Sequence, residues 1–253
     1  MTVSIEAIRS KGDVVTNHES RLVWLDLART AALFAMIVFH FARDLEVFGY
    51  IDAGTTLRGG WALFARCIAG TFIFLSGISF VLTHGAHMRW RAWAQRVCQI
   101  AVAAGLVSAA TYIAFPNQFV YFGILHMIAA SSILGVMLLR LPGSVLLLGS
   151  GLILFLHSSA ADLFHTPWLA WTGLSASVRA SLDFLPLVPW FSAFVAGMAA
   201  ARLLTLSDFD IRGVPRTTVA FLSWPGRHSL MVYLLHQPIL LGCIWLFTRL
   251  PVW

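Results

Sequence analysis

The chain has 253 residues, 59% of them hydrophobic and only 11% charged, with a mean hydropathy of +0.82. A soluble domain of this length carries about twice that charged fraction, so a water-soluble globular class is excluded and a polytopic membrane protein is indicated. The net charge of +6 does not point to nucleic acid, because the basic residues lie in short loops between apolar runs, where they set membrane orientation.

The first twenty residues are polar and lack the apolar run of a cleavable signal peptide. Residues 1–20 therefore read as a disordered cytosolic tail, and 21–253 as one membrane domain. The expected fold is all-α, a transmembrane helical bundle of about seven spans. These are Val23–Phe41, Trp61–Thr83, Ala94–Phe115, Phe119–Leu139, Ser144–His157, Val188–Leu206 and Ser229–Leu250. Between the fifth and sixth lies Ser158–Leu187, whose Phe164, Trp168, Trp171 and Phe184 suit an interfacial or re-entrant lid. Cys67, Cys98 and Cys243 all fall in apolar runs without CxxC spacing, so no disulfide framework or structural metal site is expected. With the N-terminus inside, eleven basic residues fall on the cytosolic side and four outside. That positive-inside bias sets the N-terminus in and the C-terminus out.

The first span organises the rest. Positions 26, 29, 33, 37, 40 and 44 fall on one narrow helical stripe, which gives this helix a polar face. Charges within a membrane helix face protein or a wet cavity, so the other helices should wrap this stripe. Asp26 sits about 27 Å from Asp44 along the helix, which makes the Asp26–Arg29 and His40–Asp44 pairs two sites. The i, i+3 spacing of Asp26 and Arg29 suits a local ion pair, with phosphates entering from the cytosol as the other role for Arg29. At the opposite end, His40 and Asp44 are spaced i, i+4. The carboxylate can then hydrogen-bond one ring nitrogen and leave the other free to take a proton; the bland alternative is a pair that only pins the helix end.

Further polar residues need partners. Arg66 lies in the outer third of the second span, where Asp44 or Asp183 could pair with it. His126 lies about two turns into the fourth span. His236 sits near the middle of the seventh, sharing a face with Ser229 and Tyr233, and Pro238 frees the carbonyl of Leu234 beside it. Single intramembrane histidines usually serve as interhelical hydrogen-bond partners. Three helices carrying one each, from outer to middle depth, suggest a shared polar cavity. Asp183 and Trp190, at the two ends of DFLPLVPW, join the candidate cavity residues. Ser76, in FLSGIS, reads as small-residue helix packing.

RLVWLDLARTAALFAMIVFHFARDL, TFIFLSGISF, YFGILHMIA, DFLPLVPWFSAFVAG and GRHSLMVYLLHQP occur in that order. Together they resemble the bacterial branch of the heparan-alpha-glucosaminide N-acetyltransferase catalytic-domain family, from about Arg21 to the C-terminus. The resemblance implies acyl transfer, acetyl in this family's chemistry, from cytosolic acyl-CoA (acetyl-CoA) to a sugar or envelope acceptor on the outer face. It implies a multi-pass protein of the bacterial cytoplasmic (inner) membrane, surrounded by lipid and able to form a homodimer. One departure matters: the lysosomal relative carries its proposed catalytic histidine in a loop after the first helix, and here Leu45–Gly60 contains none. His40 is nearest in chain and depth and takes the role of base, oriented by Asp44. A serine nucleophile is disfavoured, because GxSxG is absent. Two other classes use the same polar groups: a carrier or flippase for a lipid or sugar, and a haem or quinone protein using paired histidines. The lack of internal repeats weighs against the first, and unmatched histidine depths weigh against the second.

Overall fold

The structure is a computed structural model that describes residues 22–160, 163–204 and 215–249. The proposed N-terminal tail and the end of the sixth span at Leu206 lie outside the described residues. Among those described, the chain is helical, with isolated bridges and no strands. Eight helices follow one another: α1 Val23–Val47, α2 Gly59–His84, α3 Trp90–Ala114, α4 Ile124–Leu138, α5 Gly143–Ala160, α6 Leu187–Leu203, α7 Arg216–Arg227 and α8 Ser229–Arg249. Short 3-10 turns lie at Thr55–Leu57 and Pro167–Thr172.

Each of the seven apolar runs carries a helix. Four, Val23–Val47, Gly59–His84, Trp90–Ala114 and Ser229–Thr248, are long and apolar enough to cross a membrane. The other three are shorter apolar helices. α4 starts at Ile124 and not Phe119, because 118–122 is drawn into backbone pairing with the segment before α6. Leu182 N–H donates to Gln118 O at 2.8 Å and Leu185 N–H to Phe122 O at 3.0 Å. α7 was not expected. Its sequence RTTVAFLSWPGR mixes polar and apolar residues, so no apolar run marks it. Large apolar side chains such as Phe34, Ile113, Met137 and Phe247 are exposed on the outward faces. That is the pattern of a bundle solvated by hydrocarbon and not by water.

α1 ends where Gly49 takes a φ of +80°. This lets Tyr50 N–H reach back to Leu45 O at 2.8 Å, a helix ending that glycine permits without steric cost. The helix therefore runs six residues past Phe41, and His40 and Asp44 lie inside it. The loop that follows is held by Glu46, whose carboxylate accepts from Gly54 N, Thr56 N and Thr56 Oγ1 at 2.6–2.8 Å and pairs with Arg43 at 2.6 Å.

Close helix crossings set the interior. α2 and α6 meet through reciprocal glycines: a Cβ on Gly77 would lie 2.1 Å from Phe194 O, and one on Gly197 would lie 2.1 Å from Phe74 O. The small-residue packing expected of FLSGIS is real, but Gly77 makes it and Ser76 faces a cavity. Phe194, fully buried, stands beside Phe80 with ring centroids 5.6 Å apart. α7 crosses α1 at Gly226, whose N–H donates to Thr30 Oγ1 at 2.9 Å. α8 then runs alongside α1 in the same direction, since Gly226 meets Asp26 and Gln237 meets Asp44. α3 ties to α4 through Trp93 Nε1–H donating to Ser132 O at 3.1 Å, and α5 to α6 through Ser150 Oγ donating to Ser192 O at 2.9 Å.

The segment from Leu163 to Phe184 folds over the start of α4. Ala176 N–H donates to Phe164 O and Phe164 N–H to Leu174 O, closing the segment on itself. Trp171 lies 5.6 Å from Phe122 and Phe184 lies 5.2 Å from Tyr121, while Trp168 is 82% exposed. This is a structured aromatic cap at the Asp44 end of the bundle.

Candidate functional site

At the Asp26 end, α1 begins with a buried carboxylate. Asp26 is 1% exposed. Arg29 Nη1 lies 2.9 Å from its Oδ1, and Arg227 Nε, from α7, lies 3.5 Å from its Oδ2. The local ion pair expected from spacing is present, and a second guanidinium joins it across the bundle. Arg29 also donates to Ser79 Oγ, which ties α1 to α2. Beside these groups lies a cavity of about 430 Å³ bounded by α1, α2, α3, α4, α7 and α8. Arg29, Arg96, Arg227, Ser79 and His84 line it, and Phe72, Ile128 and Leu230 give it apolar wall. His84 is buried, with Nδ1 lacking a hydrogen-bond partner among the described residues. Three guanidinium groups from three helices on one cavity form a receptor for anionic oxygen, because each presents forked donors to it.

At the Asp44 end, the expected His40–Asp44 hydrogen bond is not formed. Asp44 is buried, and its Oδ1 accepts from Gln237 Nε2 of α8 at 2.7 Å. His40 instead faces His236, with ring centroids 4.9 Å apart. His236 Nδ1 bonds the Tyr233 carbonyl, and the Tyr233 ring lies 5.5 Å from the His236 ring. His40, Asp44 and His236 do not line the 430 Å³ cavity, so the expected single cavity is not formed; Tyr233 is on its wall and also touches His236.

Other expectations change. Arg66 is exposed and makes no ion pair among the described residues. It lies two residues, about 200° of helix, from Ile68, which faces the core, so it cannot turn inward with that face. Asp183 does not meet Arg66. Its Oδ2 accepts from Ile124 N–H at 3.0 Å, at the positive end of α4. Burial nevertheless pushes its carboxyl up to about 6. His126 does not line the cavity; it is occupied as a structural residue. Gly123 N–H donates to its Nδ1 at 3.3 Å and Nε2 lies 3.3 Å from Ser108 Oγ. The Ser108 hydroxyl donates to Val120 O, so it can only accept from His126 Nε2–H. His126, Asp183 and Tyr233 border one narrow crevice, so these three do come together. Trp190 packs 3.8 Å from the Cβ position of Gly70 and does not line the cavity. Arg96 and Arg227 escaped the sequence reading because they count equally well as orientation-setting loop charges. Gln237 escaped because it carries no charge and does not stand out beside ionisable neighbours. Its adjacency to His236 was the available signal.

A family model described as "Heparan-alpha-glucosaminide N-acetyltransferase, catalytic" matches residues 21–238. No curated protein and no solved structure matches the chain.

Proposed function

This chain belongs to the heparan-alpha-glucosaminide N-acetyltransferase catalytic family, and from that premise we propose that it moves an acetyl group from cytosolic acetyl-CoA to a sugar or envelope acceptor on the outer face of a bacterial cytoplasmic membrane. One observation carries the reading: a cavity with Arg29, Arg96 and Arg227 on its wall also touches Tyr233, beside the His40–His236 pair. The donor's phosphates fit the guanidinium groups, and its acyl arm fits the apolar wall that leads to Tyr233. The acceptor arrives from the Asp44 end. A thioester is already activated, so the protein has two tasks: removing the acceptor's proton and stabilising the oxyanion. The histidine pair supplies the first, with His40 the residue the sequence favours. The Tyr233 hydroxyl, which has no hydrogen bond among the described residues, can donate for the second.

Arg96→Ala tests the donor site with little risk to folding, because Arg96 takes no part in the Asp26 ion pairs. Loss of one charge-assisted contact of about 1.5–3 kcal/mol should raise the KM for acetyl-CoA roughly 10- to 100-fold with kcat little changed. Labelled acetyl transfer by the purified protein is the measurement. An unchanged KM would remove the cavity from the donor path.

We also propose seven membrane crossings with the N-terminus in the cytosol. α7 lies across α1 and is not counted as a crossing; α8 running in the same direction as α1 then suits an odd number of crossings, with Arg89, Arg91, Arg140 and Arg202 at the Asp26 end. Single cysteines at Arg91 and Ala176, both exposed positions, should label from opposite faces in a cysteine-free background. Labelling from one face would overturn this topology.

A further inference from the structure

We propose that His236 is the residue that takes the acceptor's proton, with His40 as its neighbour and the Asp44–Gln237 pair as the polar wall around the reacting group. The assignment rests on the acetyl-transfer reading above. A carbonyl oxygen only accepts hydrogen bonds, so the contact between His236 Nδ1 and Tyr233 O fixes the neutral ring with its proton on Nδ1. Nε2 then carries the lone pair. That atom is buried, in a residue 8% exposed, and has no hydrogen-bond partner among the described residues. His40 has no hydrogen bond among the described residues, so nothing fixes its tautomer, and the carboxylate expected to orient it is held by Gln237.

The surroundings point the same way. Asp44 Oδ2 and Gln237 Oε1 are also buried without hydrogen-bond partners among the described residues. Gln237 donates one amide N–H to Asp44, and its free carbonyl oxygen, like any amide oxygen, can only accept. Three orphaned acceptors on two adjoining helices require an occupant that brings hydrogen-bond donors. The protonated nucleophile of an acceptor is such a group. In the step, His236 Nε2 takes the proton of the nucleophile as its lone pair attacks the thioester carbonyl carbon. The C–S bond then breaks as the tetrahedral intermediate collapses. The proton on Nε2 passes to the departing thiolate, which returns the ring to neutral and leaves acetylated acceptor and free thiol.

The test uses the purified full-length protein, with acetyl-CoA as donor, glucosamine and hydroxylamine as probe acceptors, and thiol release as readout. His236→Gln should lower kcat by about 10²–10⁴-fold with the KM for acetyl-CoA within about threefold, and should erase the acidic limb of the pH–rate profile. His40→Gln should keep that limb. Added imidazole should restore part of the activity of His236→Gly, which a misfolded protein would not recover. A His236→Gln enzyme within about threefold of wild type, or a limb lost in His40→Gln and kept in His236→Gln, would overturn the assignment alone. Absence of thiol release from the wild type would overturn the acetyl-transfer reading and the assignment with it.

Discussion

Gly77→Ala is expected to destabilise the fold by at least about 3 kcal/mol, more than an ordinary overpacked core position. The added methyl would stand 2.1 Å from Phe194 O and 3.1 Å from Met198 N. Those atoms are helix backbone, so no side chain can turn aside. α6 would have to move away from α2, and the reciprocal contact of Gly197 with Phe74 O would open with it. In a membrane this matters more than in water, because helix association there depends on van der Waals fit between close backbones. Gly105→Ala is the control. Nothing lies within 4 Å of its Cβ position, and helix propensity alone predicts a gain of about 0.5–1 kcal/mol. Unfolding midpoints of the purified proteins in one detergent would measure both. Equal midpoints for Gly77→Ala and wild type would mean that α2 and α6 do not cross at this position.

Asp26→Ala has the next largest expected effect. The carboxylate neutralises Arg29 and Arg227, which arrive from different helices, and removing it leaves two partly buried cations facing each other and Arg96 across one cavity. Removing one partner of a buried ion pair costs about 3–5 kcal/mol; with Arg29 and Arg227 still 22% and 36% exposed, the lower end applies. Thr30 would keep its bonds to the Asp26 carbonyl and Gly226 N–H, since both use backbone atoms. The loss should therefore appear as a weakened α1–α7 contact and not as unfolding of α1. Added anions should recover part of it, because phosphate or CoA would supply the missing negative charge. A melting temperature that falls on mutation and rises with millimolar CoA more steeply than in wild type is the expected result. A variant as stable as wild type and indifferent to CoA would show that Asp26 organises nothing at this cavity.

Much of this was written in the sequence. An apolar composition interrupted by short basic loops determined the class, and seven apolar runs determined seven of the eight helices among the described residues. Backbone hydrogen bonds in hydrocarbon can be satisfied only within a helix or a closed barrel. The motifs running from RLVWLDLAR to GRHSLMVYLLHQP determined the family. The Asp26–Arg29 pair was legible because its partners lie three residues apart on one helix, where geometry needs nothing else.

Tertiary structure alone decided which polar groups meet across helices. Asp44 lies four residues from His40, yet it bonds Gln237, 193 positions away. An i, i+4 spacing only permits a contact, and the amide of α8 presents a better directed donor to the carboxylate. Arg66 looked buried from its place in an apolar run, but the rotation of α2, fixed by the backbone fit of Gly77 against α6, turns it outward. Arg96 and Arg227 read as loop charges until α3 and α7 brought them to the wall shared with Arg29. Helix existence is a local property, set by the chain and its solvent. Helix rotation and neighbourhood are set by close packing between segments far apart in sequence, and the polar contacts follow from that packing.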